Sequence, residues 1–184
     1  MKKILFYDVE STSLYSSSGI VIAIGIFDPQ TMKEPLINMI EKPEDEPELL
    51  KWFKEKALEY EAICGWNSKS FDLPFILGRA LQLGLDFSEL KNVEHIDLIE
   101  ISRENFRFRS NRLENVCKLL GISYEPGIGG DEISISFMKG LVGKKEFMEG
   151  IKQRCKNDLL ALFEIFKKFE PYLNLNRERV CQKS

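Results

Sequence analysis

The sequence feature that most constrains the fold is an apolar run that leads directly into two acidic residues. Ile4 to Tyr7 are consecutive apolar residues, and Asp8 and Glu10 follow them with one residue between. A continuous apolar run predicts a strand buried on both faces, since a half-exposed strand would alternate polar and apolar residues. Side chains two residues apart on a strand point to the same side. Both carboxylates are therefore expected to project together from the end of a buried strand.

These paired carboxylates favour a cation site. Two like charges held together at the end of a buried strand repel each other and lose hydration. A cation between them would offset that cost, and oxygen-rich clusters of this kind suit magnesium or manganese. The alternative from these residues alone is that the strand ends at Asp8 and that both acids are solvated turn residues.

Length and composition indicate one globular domain. The chain has 184 residues, of which 43% are apolar and 30% charged, as in an ordinary soluble protein with a sizeable core. We expect this domain to span residues 1–173 and the polar residues 174–184 to form a C-terminal tail that frays. The net charge of −3 argues against nucleic acid binding through bulk positive charge and leaves room for a local basic groove.

The cysteines and the N-terminal residues predict a cytoplasmic protein without a membrane partner. The cysteines are widely spaced, which favours reduced thiols over zinc ligands: Cys64, Cys117, Cys155 and Cys181. The apolar run after Lys3 is too short for a signal peptide, and no apolar run reaches the length of a membrane span.

The order of predicted elements indicates an α/β fold. The strand that begins at Ile4 and two further predicted strands, at residues 20–27 and 36–40, precede any helix and suggest an antiparallel meander. A helix from about residue 44 then leads into a strand at 62–66, the usual crossover into a parallel strand. A short strand is predicted at 94–97, and further helices at 72–83, 98–102, 113–120, 132–141 and 144–169. We expect a mixed central sheet of about five strands flanked by helices.

Two later acids stand in comparable positions. Asp72 follows the strand at 62–66 and starts a helix, where it could be only a helix cap. Asp158 falls within the apolar stripe of the last long helix, and an ionised carboxylate that faces the core needs a partner. That partner could be Arg154, one turn earlier, or a cation shared with Asp8 and Glu10, and the two interpretations are compatible.

Together these stretches resemble the DEDD exonucleases of the ribonuclease H-like superfamily. They are similar to stand-alone predicted exonuclease domains and to the proofreading domain of family B DNA polymerases. The matching pattern is Asp8-x-Glu10, then Asn67-x-x-x-Phe71-Asp72-x-Pro74, then Asp158 in a late helix. Residues 112–122 also look like the helix that precedes the family's last motif. The resemblance covers nearly the whole chain and implies a ribonuclease H-like fold.

The resemblance also implies an activity and a metal requirement. The chain would be a metal-dependent 3′–5′ exonuclease acting on single-stranded or frayed nucleic acid ends, with two divalent cations, Mg²⁺ or Mn²⁺, as cofactors. Asp8 would bridge the two ions, Glu10 and Asp158 would complete the first site, and Asp72 would hold the second ion through water.

The expected substrate-binding residues come from the resemblance and from a basic loop. Asn67 and Phe71 would shape the pocket for the terminal nucleotide, while Thr12 and Leu14 would contact the 3′ end. Phe71 and Leu14 could equally be core residues. Residues 105–112 interleave aromatics with Arg107, Arg109 and Arg112, as single-strand binding requires. Alternatively, the phenylalanines of this loop fill the core and its arginines pair with acids.

One departure from the family pattern concerns the residue that orients the attacking water. The family usually has Tyr four residues before the last Asp or His five before it, and here Arg154 and Gln153 hold those positions. Neither is a general base at neutral pH. We expect the cations to activate the water without such a base, with Arg154 contacting the scissile phosphate. His95, the only histidine, could substitute as the base or be structural.

Two other functions fit the same residues. One is a catalytically impaired nucleic-acid-binding module, with Arg154 in the cation site beside Asp158. The other is an endonuclease of the same superfamily, which would cut within a hybrid or a junction. The sequence does not distinguish DNA from RNA as the substrate.

Overall fold

The computed structural model describes residues 2–173 and has a five-stranded mixed sheet at its centre. The strands are β1 (Ile4–Ser11), β2 (Val21–Phe27), β3 (Leu36–Met39), β4 (Ala62–Gly65) and β5 (Glu94–Asp97), in the order β3-β2-β1-β4-β5. The first three strands pair antiparallel, whereas β1 with β4 and β4 with β5 pair parallel. The predicted mixed α/β sheet is confirmed. The expected tail and Cys181 lie outside the described residues.

Helices cover both faces of this sheet. They are α1 (Glu46–Leu58), α2 (Asp72–Gln82), α3 (Leu98–Asn105), α4 (Leu113–Leu120), α5 (Ile133–Leu141) and α6 (Lys145–Phe169). The predicted helices are confirmed with small shifts at their ends. The helix predicted from about residue 44 begins at Glu46, and a separate 3₁₀ turn, Pro43–Asp45, precedes it. Within the described part of the chain, none of the helices combines the length and apolar character of a membrane span.

Strand β1 separates two hydrophobic clusters. Leu5 and Tyr7 belong to the cluster that includes Phe53 of α1, whereas Phe6 belongs to the cluster that includes Leu162 of α6. Alternate residues of a strand point to opposite faces, so Asp8 and Glu10 share the α6-facing side of β1 with Phe6. The apolar run is buried on both faces, as its composition predicted. The strand also continues to Ser11 instead of ending at Asp8.

A glycine allows α6 to approach the sheet closely. Gly25 of β2 pairs with Asp8 of β1. A Cβ atom at position 25 would lie 2.6 Å from both Cys155 Sγ and Leu159 Cδ1 of α6. Because such distances are far below van der Waals contact, this position requires glycine. The close packing brings the α6 face that carries Asp158 next to the acidic end of β1.

Candidate metal centre and nucleic-acid cleft

Three acids from two elements converge at the end of β1. One carboxylate oxygen from each of Asp8, Glu10 and Asp158 lies within 4.8 Å of the others. Glu10 is 6% exposed and Asp158 is 7% exposed, and Asp8 is half-buried. Glu10 is therefore not a solvated turn residue. The alternation of β1 and the approach of α6 at Gly25 together create this cluster.

The fourth acid, Asp72, is held by the turn between β4 and α2. Asp97, at the end of β5, accepts the backbone N–H of Asn67 at 2.8 Å and that of Lys69 at 2.9 Å. Those bonds fix the turn, and α2 then starts with Asp72, which is 6% exposed. Phe71 occupies the cap position of α2. Asp97 also accepts a hydrogen bond from Ile99 N and so caps the start of α3.

Burial raises the pKa of all four acids, and repulsion between carboxylates raises it further for Asp8, Glu10 and Asp72. Burial, followed by the negative charge of Asp158, raises the pKa of Asp8 to about 7. Burial and then the charge of Asp8 raise the pKa values of Glu10 and Asp72 well above their usual range. Burial also raises the pKa of Asp158, although Arg154 opposes it. The cluster is thus short of positive charge.

The polar atoms of the cluster fit a divalent cation. Within the described residues, Asp8 Oδ2 and Glu10 Oε1 are buried and have no hydrogen-bond partner. A buried carboxylate oxygen without a donor is costly, and hard divalent cations prefer carboxylate oxygens. An all-oxygen donor set is typical of Mg²⁺ and Mn²⁺ sites.

Arg154 lies inside the cluster. Its Nε is 3.0 Å from Glu10 Oε1, and its Nη2 is 3.5 Å from Asp158 Oδ2. The ion pair with Asp158 predicted from the i,i+4 spacing is therefore present. Nη1 donates a hydrogen bond of 2.8 Å to the backbone oxygen of Ile128. Burial lowers the pKa of Arg154, but the surrounding acids, led by Glu10, outweigh it and raise the pKa overall, so the guanidinium stays charged.

Tyr124 is a site residue that the sequence did not reveal. Its hydroxyl donates to Asp158 Oδ1 at 2.5 Å, across 34 positions of the chain. Burial, followed by the charge of Asp158, raises the pKa of Tyr124, so the phenol remains a donor. A tyrosine hydroxyl therefore reaches the last acid from the segment after α4, although the helix position of the family pattern holds Arg154. No local pattern around position 124 predicts this contact.

A cleft of about 870 Å³ opens beside the acids. The residues predicted as functional that line it are Asp8, Glu10, Thr12, Leu14, Phe71, Asp72, Arg112, Arg154 and Asp158. Leu14 is 76% exposed, which rules out a core role, while Phe71 also packs against Phe75. Trp66 also lines the cleft and was not predicted as a site residue from the sequence, although it directly follows β4. Its indole N–H donates to the backbone oxygen of Asn111 at 3.2 Å.

Three predicted residues lie outside the lining of this cleft. Asn67 has a left-handed backbone, with φ of 60°, and supports the turn before α2. Arg107 and Arg109 are exposed away from the cleft. Phe106 packs against Phe169, with ring centroids 4.7 Å apart, and stacks on the ring of Phe108 at 5.4 Å. The rings of this loop therefore follow the alternative in which they fill the hydrophobic cluster.

His95 belongs to a structural hydrogen-bond network. Its Nε2 lies 3.0 Å from the hydroxyl of Tyr7 and 2.9 Å from that of Ser68. Burial, followed by the charge of Lys69, lowers the pKa of His95 to about 4. The ring does not line the cleft, which favours the structural interpretation over a role as the base.

Comparisons with known proteins agree on the fold. A family model described as the RNase_H superfamily matches residues 5–170. Among solved structures, the family B DNA polymerase from the hyperthermophilic archaeon Pyrobaculum calidifontis is similar, with a TM-score of 0.80 and 16% sequence identity. That match covers 94% of this chain and 25% of the polymerase, so this chain spans about a quarter of the polymerase's length. No curated protein matches the sequence.

Proposed function

We propose that this chain, which belongs to the RNase H superfamily, is a metal-dependent 3′–5′ exonuclease acting on single-stranded or frayed nucleic acid ends. The family supports nuclease activity in general. The observation that carries the finer proposal is the convergence of acids from β1, α2 and α6 on one cleft. Phosphodiester hydrolysis develops negative charge, and such a cluster is suited to binding the cations that stabilise it.

The acids would divide two divalent cations between them. Asp8, Glu10 and Asp158 would hold the first, and Asp8 with Asp72 would hold the second. When bound, such a pair activates a water molecule and neutralises charge on the leaving oxygen. Asp8 Oδ2 supports this assignment, because it accepts no hydrogen bond from the described residues and would be available to a cation.

The other cleft residues would bind and orient the nucleic acid. Tyr124 fixes one oxygen of Asp158, which leaves the other oxygen facing Arg154. Arg154 could donate to a non-bridging oxygen of the scissile phosphate, and Arg112 to the phosphate backbone. The aromatic rings of Trp66 and Phe71 would stack on the terminal bases. Thr12 and Leu14 would contact the 3′ end.

A nucleic-acid-binding module without turnover is the second candidate, favoured by the position of Arg154. Its guanidinium lies between Glu10 and Asp158, where the first cation would bind. If that arrangement persisted with substrate bound, the cleft would hold a nucleic acid strand and not cleave it.

A cleavage assay separates these functions. Single-stranded DNA and RNA oligonucleotides, labelled at the 3′ or at the 5′ end, are incubated with the protein and Mn²⁺. Progressive shortening from the 3′ end is expected. A single internal cut would instead indicate an endonuclease, and binding without cleavage would indicate the second candidate. Asp8→Asn, which preserves side-chain size and removes the charge, controls for contaminating nuclease.

A further inference from the structure

Arg154 occupies the same carboxylates that a metal would use. Its Nε and Nη2 face Glu10 and Asp158, two of the three acids whose oxygens lie within 4.8 Å of one another. A guanidinium in this position competes with a divalent cation, because both are positive and both are attracted to the same carboxylates. Arg154 in this position therefore opposes metal uptake at the first site.

The guanidinium is held only loosely by the acids themselves. Arg154 Nε and Glu10 Oε1 are close enough for an ion pair, yet neither atom makes an aligned hydrogen bond within the described residues. The aligned bond of the guanidinium is the one to the backbone oxygen of Ile128. Buried charges without directed hydrogen bonds are poorly compensated. A ligand that offers better geometry to the guanidinium could displace it at moderate cost.

A phosphate group is such a ligand. Its oxygens match the planar fork of arginine and accept two parallel hydrogen bonds. The cleft beside Arg154 is lined by Trp66, Phe71 and Arg112, so a nucleic acid strand bound there would bring phosphate to the guanidinium.

We infer that Arg154 competes with a divalent cation for the first metal site. A nucleotide phosphate bound in the cleft attracts the guanidinium away from Glu10 and Asp158. Substrate binding is thereby coupled to metal binding. The inference rests on the proposed function for the identity of the ligand. Coupling between two ligands is reciprocal, so the phosphate raises the affinity for metal by the same factor as metal raises the affinity for phosphate.

The competition is tested without any nucleic acid. Mn²⁺ binding to the full chain is titrated by electron paramagnetic resonance for the wild type and for Arg154→Gln. We expect Arg154→Gln to bind Mn²⁺ between about 5-fold and 150-fold more tightly. Arg154→Lys keeps the positive charge and loses the planar guanidinium, and we expect its Mn²⁺ affinity to lie between those of the wild type and Arg154→Gln. Lys152→Gln removes one positive charge from an exposed position of the same helix, and we expect little change.

The coupling is tested by repeating the titration with thymidine or uridine 5′-monophosphate. Either nucleotide is expected to raise the Mn²⁺ affinity of the wild type more than that of Arg154→Gln. An equal rise in both proteins, or no rise in the wild type, would overturn the coupling. If Arg154→Gln does not fold, Arg154→Lys takes its place in this comparison, and its rise in Mn²⁺ affinity is expected to be smaller than that of the wild type.

Failure of this inference is distinguishable from failure of the proposed function. Equal or weaker Mn²⁺ binding by Arg154→Gln would overturn the competition and would leave the proposed exonuclease function standing. Tighter Mn²⁺ binding by Arg154→Gln, together with a wild type that shortens no oligonucleotide, would overturn only the proposed function. Absence of Mn²⁺ uptake by both proteins would overturn both.

Discussion

Tyr124 is the side chain through which the segment after α4 reaches the acid cluster. Tyr124→Phe removes the donor to Asp158 Oδ1 and leaves the rest of the ring in place. We expect Mn²⁺ affinity or cleavage rate to fall by about tenfold to a hundredfold, because the ligand loses its fixed orientation. Titration of Mn²⁺ and single-turnover cleavage measure the two effects. Tyr172→Phe, at an exposed tyrosine, is the matched control, and an equal loss there would contradict the role of Tyr124.

The raised pKa of Asp8 predicts a pH dependence of stability in the metal-free protein. Its pKa of about 7 exceeds the usual unfolded value of about 4, so the folded state binds more protons than the unfolded state between those limits. The contribution of Asp8 to the free energy of unfolding is therefore favourable at low pH and is lost as the pH rises through about 7.

Urea denaturation in the presence of EDTA checks this sign. The difference in stability between wild type and Asp8→Asn should favour the variant more strongly at about pH 7.5 than at about pH 5.5. The subtraction removes the opposing contribution of His95, whose lowered pKa stabilises the folded state as the pH rises. A difference that does not change with pH would show that Asp8 is charged in both states.

At the residue scale, the sequence predicted the acids but not all of their partners. Asp8 and Glu10 could be paired because strand periodicity acts over two positions. Tyr124 and Trp66 could not be assigned, because their contacts depend on how irregular segments cross the end of the sheet. The approach of Arg154 to Asp158 was predictable from helical spacing, whereas its contact with Glu10 depends on the packing of α6 on β1.

The packing of α6 against the sheet determines whether Asp158 reaches the acid cluster at the end of β1. Gly25→Ala introduces a Cβ into contacts of 2.6 Å with Cys155 and Leu159, so these side chains, or α6 with them, have to shift. We expect a loss of about 1 to 3 kcal/mol in the free energy of unfolding, together with weaker Mn²⁺ binding as Asp158 moves away.

Chemical denaturation and Mn²⁺ titration test this expectation together. Gly150→Ala, in α6 itself, is the matched control, because its Cβ would meet Ile128 at an ordinary 3.5 Å and alanine favours helix. Unchanged metal affinity in a destabilised Gly25→Ala would show that the position of Asp158 does not depend on this packing.

At the element scale, the sequence predicted the helices and strands well because their apolar periodicity is strong. The order along the chain, with a meander followed by a crossover, was sufficient to predict that β4 pairs parallel. The sequence predicted β5 as a strand but not how it pairs. The need for glycine at position 25 was not predictable, since the conflict arises only once α6 lies against β2. The loop at 105–112 was left open for the same reason, because its rings pack against Phe169, which lies far along the chain.

At the scale of the whole molecule, the acid cluster opposes folding until a cation binds. Several buried carboxylates with raised pKa values face one guanidinium. We expect Mn²⁺ to stabilise the folded protein, by about 2.7 kcal/mol when its concentration is a hundred times the dissociation constant.

Thermal melting with EDTA or with increasing Mn²⁺ measures this effect. Glu10→Gln, which keeps the size of the side chain, should reduce the dependence on Mn²⁺ sharply. Glu34→Gln, at an exposed acid paired with Lys156, should leave it unchanged. A melting temperature that rises equally in all three proteins would assign the stabilisation to ions bound elsewhere.

The two walls of the cleft, β1 on one side and the residues before α5 on the other, differ in their backbone hydrogen bonding. Strand β1 pairs with β2 from Phe6 to Ser11 and with β4 from Ile4 to Phe6, so its amide protons are held in a sheet that opens rarely. The opposite wall includes the 3₁₀ turn Gly130–Glu132 and the start of α5, and within the described residues neither pairs with a strand. We therefore expect amide exchange at Asp8 and Glu10 to be slower than in the facing wall, whose distance from β1 can change more readily.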